Sequence, residues 1–325
     1  MAENLLEISN LSVEYRTEFG KVNAVNNLSL SLKNGETLGL VGETGAGKTT
    51  TALSVIRLLP QGIGVITGGT ILLDGQDMAK LPEEKARKLR GKTVSMIFQD
   101  PMTSLNPIKT VGEQIGEVLR AHNKKISKRE LEKAVDDMME LVGIPAARKN
   151  EYPHEFSGGM KQRIVIAIAL VCEPKLILAD EPTTALDVTI QAQMLGLIND
   201  LQKRLNTAMI LITHDLGVVA QTCEKVAVMY AGEVIESGRA DQIFDSVQLH
   251  PYTMGLFRAI PKLDEESERL EAIDGMMPDP AQKITGCRFA NRCKYAGERC
   301  KTEPPVVEVA PEHFIKCHRY TEEGV

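Results

Sequence analysis

Apolar and polar residues alternate through Leu11, Val13 and Tyr15 and again through Leu28, Leu30 and Leu32. Each stretch predicts a half-exposed strand of an antiparallel sheet. Uninterrupted apolar runs follow at Thr37 to Val41, Thr93 to Phe98, Leu176 to Ala179 and Met209 to Thr213. Runs this short with no polar face predict strands buried on both sides, and the chain between them is long enough for helical crossovers. The core is therefore predicted to be a parallel sheet with helices on both faces. From Asp100 to Glu155 the period lengthens: Ile115, Val118 and Leu119, then Leu131, Val135, Met138 and Met139, fall at helical spacing among many charges. That pattern predicts an inserted helical lobe. After about Gly238 the apolar runs give way to proline-containing and cysteine-containing sequence, which predicts a small separate appendage.

Composition narrows the class. A chain of 325 residues, 43% apolar, can bury one large core and a small extension. The net charge of −6 argues against binding nucleic acid by overall charge, because that mode needs cations to displace counterions from phosphates. The longest apolar run, Ile164 to Cys172, is far short of the roughly 20 residues that span a bilayer. The start Met1-Ala2-Glu3-Asn4 lacks the basic and apolar segments of a secretory signal, which predicts retention in the reducing cytosol. There, cysteines are expected as thiols or metal ligands rather than disulfides.

Gly42-Glu43-Thr44-Gly45-Ala46-Gly47-Lys48-Thr49 fits the pattern G-x-x-x-x-G-K-[ST], after a predicted buried strand and before a helical stretch that Pro60 is expected to end. Such glycines let backbone N–H groups curl around phosphates, with the helix N-terminus adding its positive end. Lys48 is expected to reach the β and γ phosphates and Thr49 to ligate Mg²⁺. Asp180 and Glu181 end the apolar run from Leu176, where two carboxylates are costly without a cation. Asp180 is the candidate Mg²⁺ holder and Glu181 the candidate general base toward an attacking water. Ser157-Gly158-Gly159 opens a helical stretch and suits a second phosphate contact at a helix N-terminus, or an ordinary helix cap.

In order and spacing these motifs resemble the ATP-binding subunit of an ABC transporter. The fold this implies is α/β, a P-loop NTPase of ABC type with a mixed sheet, an antiparallel β subdomain, an inserted α-helical subdomain near residues 100–160 and a small cysteine-rich C-terminal extension. The boundary implied is 1–240 for the nucleotide-binding domain and 241–325 for the extension. By resemblance, Tyr15 stacks on adenine and the loop from Gly42 through Thr50 wraps the ATP phosphates. Gln99 senses Mg²⁺ and couples to the membrane subunits, Ser157 to Gln162 is the signature, Asp187 after Ala185-Leu186 belongs to the D-loop, and His214 is the switch histidine. Met160 stands where the signature usually has Gln, and Ala46 and Thr49 where the loop often has other small residues. None of these changes removes a required phosphate ligand. Since one subunit's signature completes another's nucleotide site, hydrolysis requires a head-to-tail dimer with a second ATP-binding subunit.

His250-Pro251-Tyr252-Thr253, Ala259-Ile260-Pro261 and the segment Asp100-Pro101-Met102-Thr103-Ser104-Leu105-Asn106-Pro107 extend the resemblance to dipeptide and oligopeptide importer ATPases. This implies permease partners, a solute-binding protein acting indirectly, and a peripheral position on the cytoplasmic face of the membrane. Cys287, Cys293, Cys300 and Cys317 can hold Zn²⁺ or an iron–sulfur cluster or remain reduced. Their wide spacing favours a cluster, since structural zinc sites usually carry tight pairs. Arg288, Arg292, Lys294, Arg299, Lys301, Lys316 and Arg319 would offset its charge, and since some related importer subunits carry a [4Fe-4S] cluster in such a tail, the resemblance implies one at these four positions. Cys172 and Cys223 read as core thiols. The competing readings are a soluble ABC ATPase acting on nucleic acid or ribosomes through a zinc module, and the same transporter class importing nickel or another solute.

Overall fold

A computed structural model describes residues 4–18, 20–99, 104–183, 187–259, 273–282 and 284–321. Asp100 to Thr103, Ala185, Leu186, Ile260 and Pro261, singled out above, lie outside these residues. In chain order the structure opens with β1 (Asn4–Thr17), β2 (Gly20–Lys33), β3 (Thr37–Val41), α1 (Lys48–Val55), β4 (Gly64–Leu73), β5 (Gln76–Asp77), α2 (Glu83–Leu89) and β6 (Val94–Ile97). Next come α3 (Val111–His122), α4 (Lys128–Leu141), α5 (Gly158–Leu170), β7 (Leu176–Asp180), α6 (Val188–Leu205), β8 (Ala208–Thr213) and α7 (Leu216–Thr222). The chain closes with β9 (Lys225–Tyr230), β10 (Glu233–Arg239), α8 (Ala240–Asp245), α9 (Pro251–Arg258), β11 (Val306–Ala310) and β12 (His313–Lys316). These elements form two compact units, one of Met1–Leu6, Ser31–Thr37 and Leu72–Ile212, the other of Glu7–Leu30, Leu38–Ile71 and Thr213–Val325.

In the first unit β6, β7 and β8 are parallel neighbours, with Val94 opposite Leu176 and Leu176 opposite Ala208. All residues of β7 and β8 are buried, as expected of strands covered on both faces. The helical lobe forms where its period predicts. Thr110 and Ser127 each open a helix with a reciprocal capping box, through Glu113 and Glu130, which satisfies N–H groups the first turn leaves orphaned. Ile115 on α3 and Leu131, Val135, Met138 and Met139 on α4 are buried.

In the second unit β1, β2 and β4 lie side by side in the order β2, β1, β4. A second sheet runs β11, β12, β10, β9, β3. Here β3 is parallel to β9, and β10 is antiparallel to both β9 and β12. The last two strands of the chain thus extend the sheet that contains β3, although no period announced them. β12 has only four residues, alternating buried His313 and Ile315 with exposed Phe314, too short a run to read. Helix α1 ends at Val55, ahead of Pro60, and Arg57 adopts a left-handed φ of 55°.

A buried polar knot joins β10, β12 and α9. The Glu236 carboxylate accepts from His313 Nε2 at 2.8 Å and from the His250 N–H at 3.0 Å, with all three residues about 1% exposed. His250 Nδ1 in turn accepts from the Tyr252 N–H at 3.1 Å, capping α9. Complete burial pushes the His250 imidazole down from 6.5 to about 3. An imidazole that resists protonation when folded binds fewer protons than the unfolded chain between about pH 6.5 and 3, so stability falls as pH drops through that window. At pH 5 the second unit is expected to be less stable than at pH 7 by about 2 kcal/mol from this group. Urea unfolding followed by circular dichroism at the two pH values should show it, and His250→Gln should flatten the dependence.

Candidate functional site

Strand β3, buried throughout, delivers the chain to Gly42, and the loop that follows turns on glycines. Gly42 and Gly47 have φ of 152° and 102°, and a Cβ would clash with Met229 O at the first and with Ala24 O at the second. No larger residue fits at either of these two positions in this conformation. Gly47 caps α1 without a side-chain hydrogen bond, so no side chain of the cap occupies the helix's first N–H groups. Lys48 folds back over the loop, almost fully buried, donating to Gly42 O at 2.7 Å and Glu43 O at 3.0 Å. Thr44, Gly45 and Thr49 are exposed, and Tyr15 Oη lies 3.1 Å from Thr50 Oγ1. The same unit carries His214, exposed at the end of β8 and followed by Asp215, which caps α7 by accepting from the Gly217 and Val218 N–H groups.

The first unit gathers the carboxylates. Asp180 closes β7 and is buried, whereas Glu181 turns out of the strand with a left-handed φ of 44°. A non-glycine residue there carries strain of about 1 to 3 kcal/mol, a feature that clusters at functional sites. Hydrogen bonds at both ends hold the residue: its N–H donates to Ile212 O at 2.8 Å, and its Oε2 accepts from Gln99 Nε2 at 3.0 Å. Gln162, buried in α5, donates to Pro182 O at 2.6 Å and so pins the next residue. Ser157 and Asp187 are the N-caps of α5 and α6, accepting from the Met160 and Ile190 N–H groups. Gly159 packs against Ile190, but a Cβ on Gly158 would meet nothing within 4 Å among the described residues. Packing against these residues does not require glycine at 158.

Cys287, Cys293, Cys300 and Cys317 line one cavity of the second unit together with Tyr295, His318 and Arg319. Burial raises the Cys287 thiol to about 11 and lifts those of Cys293 and Cys317, with neighbouring thiols adding repulsion and Arg319 opposing the rise in the last two. Four of the seven cations expected to offset charge there are paired with carboxylates. Arg288 and Lys316 bind the two oxygens of Glu233 at 2.7 and 2.8 Å, Arg292 binds Glu43, and Lys301 binds Glu298. Arg288, Arg292 and Lys316 thus reach to carboxylates that do not line the cavity, whereas Glu298, the partner of Lys301, does. Arg299 and Arg319 remain on its wall. Of the other cysteines, Cys223 is buried and pushed up to about 12, and Cys172, beyond the end of α5, is only half-buried.

The sequence alone did not mark Tyr252 and Arg292 as neighbours of the phosphate loop. Tyr252 Oη accepts from the Glu43 N–H at 2.9 Å, and Arg292 Nη1 reaches both Glu43 carboxylate oxygens at 3.1 and 3.0 Å. The Tyr252 motif was visible as a resemblance, but no local pattern links either residue to a loop so distant in sequence.

The ABC transporter family matches residues 25–184, and the family described as Oligopeptide/dipeptide transporter, C-terminal region, matches residues 235–300. The chain is 49% identical to the oligopeptide transport ATP-binding protein OppD of Escherichia coli, over 99% of this chain and 95% of that protein. It is also 49% identical to OppD of Bacillus subtilis, over 96% and 88%. Among solved structures, the dimer of the ATP-binding cassette MJ0796 bound to ADP and Pi superposes with a TM-score of 0.64 at 26% identity, covering 72% of this chain and 98% of that one.

The tight approach at Gly47 yields a test. Gly47→Ala forces a Cβ against Ala24 O at an unfavourable φ, and is expected to weaken ATP binding by about 10- to 100-fold in titration calorimetry.

Proposed function

The chain belongs to the ATP-binding subunits of oligopeptide ABC transporters, and we propose on that footing which of its residues grip the nucleotide and which promote its hydrolysis. It is an ATPase that energises peptide import, working with transmembrane permease subunits and a second ATP-binding subunit. Among the described residues no helix is long and apolar enough to cross a membrane, and attachment to the membrane runs through the permeases. The match at residues 235–300 favours this reading over an ABC ATPase acting on nucleic acid or ribosomes.

The observation that carries the catalytic assignment is the strained, Gln99-held Glu181 that follows a buried aspartate. In the assigned roles, Lys48 exchanges the carbonyls of Gly42 and Glu43 for β and γ phosphate oxygens. Loop N–H groups from Gly45 to Thr50 receive the remaining oxygens, and Tyr15 stacks on adenine. The Thr49 hydroxyl and the Asp180 carboxylate are hard oxygen donors, the type Mg²⁺ prefers, and this ion would neutralise phosphate charge. Glu181 accepts a proton from the attacking water while Gln99 holds its carboxylate in direction. His214 donates toward the γ phosphate. Ser157, Gly158, Gly159 and Asp187 serve the nucleotide of the partner subunit in a head-to-tail dimer, which is supported by the open space at Gly158.

The sequence boundary at residue 240 marks where the extension begins, and in that extension, which folds with the phosphate loop in one unit, Cys287, Cys293, Cys300 and Cys317 would hold a [4Fe-4S] cluster. Four thiols around one cavity give it a suitable donor set. Among the described residues no group of three or more His, Cys, Asp or Glu is placed to hold a metal ion, so the assignment rests on the chemistry of the four thiols and on the resemblance, with Zn²⁺ as the alternative. A bound cluster would supply crosslinking and a redox-sensitive centre. Cargo is selected by the permeases and an extracellular solute-binding protein.

Glu181→Gln in the assembled transporter is expected to lower kcat about 10²- to 10³-fold, with ATP affinity within threefold of wild type. Lys48→Ala should instead abolish measurable binding, and a hydrolysing Glu181→Gln transporter would remove the carboxylate from its role. For the cysteines, anaerobically purified protein should contain four irons and four sulfides per chain, as the [4Fe-4S] assignment demands. Zinc without iron in elemental analysis would reject the cluster.

A further inference from the structure

We propose that Tyr252 and Arg292 are positioning residues for ATP binding: from the C-terminal tail they clamp Glu43, the second residue of the phosphate loop, and thereby set the loop's grip on the nucleotide. This rests on the assignment of Gly42–Thr49 to the phosphates and adds a control of that site from residues outside it.

Glu43 is held at every polar group. Its N–H donates to Tyr252 Oη at 2.9 Å, its carbonyl accepts from Lys48 Nζ at 3.0 Å and from the Ala46 N–H at 3.1 Å, and its carboxylate receives Arg292 Nη1. One residue therefore connects the tail to the lysine assigned to the phosphates. The clamp is stiff. The Arg292 side chain is 6% exposed, and its guanidinium also donates through Nε to Asp274 O at 3.0 Å, through Nη2 to Ile273 O at 3.1 Å and through Nη1 to Tyr230 Oη at 3.4 Å. A guanidinium fixed on several sides loses little further freedom in holding a carboxylate. Tyr252 packs against Tyr230 and Phe289 with ring centroids 4.7 and 5.5 Å away, so its hydroxyl has a set position. The tail meets the loop again at Gly45, where a Cβ would come within 3.3 Å of Met277 Cε.

Charge gives the clamp a second effect. Glu43 is an anion within a loop that must receive a polyphosphate, and Arg292 neutralises it. Loss of Arg292 leaves that carboxylate facing a ligand of like sign, so ATP should suffer more than ADP. A purely structural contact would lower the melting temperature without favouring one nucleotide over the other.

The test uses the full-length chain in its assembled transporter, with ATP and ADP dissociation constants, KM and kcat measured for Arg292→Ala, Arg292→Lys and Tyr252→Phe. Arg292→Ala is expected to raise Kd and KM for ATP about tenfold, ADP about threefold, and to leave kcat within about twofold. Arg292→Lys should recover most of the loss, because the charge is kept. Tyr252→Phe keeps the ring packing and removes only the acceptor, so it should fold and raise the ATP Kd about threefold. If Tyr252→Phe and Arg292→Ala bind ATP as wild type does, or lose ATP and ADP equally, the positioning role is overturned. Lys48→Ala, run in parallel, separates the layers: normal ATP binding by that variant would overturn the loop assignment and this inference with it.

Discussion

A loop that offers backbone N–H groups to an anion has to be held open before the anion arrives, and here an ammonium does it. Lys48, nearly excluded from water, donates to the carbonyls of Gly42 and Glu43, so the loop curls around its own cation. A buried lysine is tolerable only with such acceptors, and their geometry explains the glycines. Gly42 leaves no room between the loop and Met229, and Gly47 none between the loop and Ala24. The loop is thus shaped by strands β9 and β2 as much as by its own sequence. Replacing two carbonyls by phosphate oxygens is a local exchange of acceptors that leaves the backbone in place, which is how a site becomes preorganised for charge.

The carboxylates obey the same economy of motion. Five buried residues in β7 fix where the strand ends, and the left-handed turn at Glu181 redirects the next side chain away from the register that would have buried it. The hydrogen bond from Gln99 then selects one direction for a group with several rotamers. Gln99 also stands two residues after β6, so the group that orients Glu181 is fixed by the strand beside β7.

Sequence pattern revealed the repetitive parts of this molecule well. Four buried strands, the helical period of the lobe and the phosphate loop are local signals, carried by residues within a few positions of one another. Thr93 to Phe98 shrinks to Val94–Ile97 and Leu176 to Ala179 lengthens to Asp180, changes at frayed ends only. What could not be read was contact between distant segments. β12 carries too few residues to show its alternation, and its pairing with β10 depends on Glu236 finding His313. The seven cations of the tail invited an electrostatic reading, yet four of them, Arg288, Arg292, Lys301 and Lys316, are tied to carboxylates. Composition counts charges but does not say which way a long side chain turns.

Those ties give the cysteine cavity its place. Arg288 follows Cys287 and Lys316 precedes Cys317, and both grip Glu233 on β10. Arg292 precedes Cys293 and grips Glu43. Three of the four thiols therefore stand next to a cation anchored on the sheet or the loop, with the Arg288, Lys316 and Glu233 side chains mostly shielded from water. Shielded pairs resist screening and are costly to break singly, so the segments that flank the thiols are anchored on β10. Cys293 and the residue that holds Glu43 are consecutive in the chain, so the wall of the cysteine cavity and the anchor of the phosphate loop share one short segment.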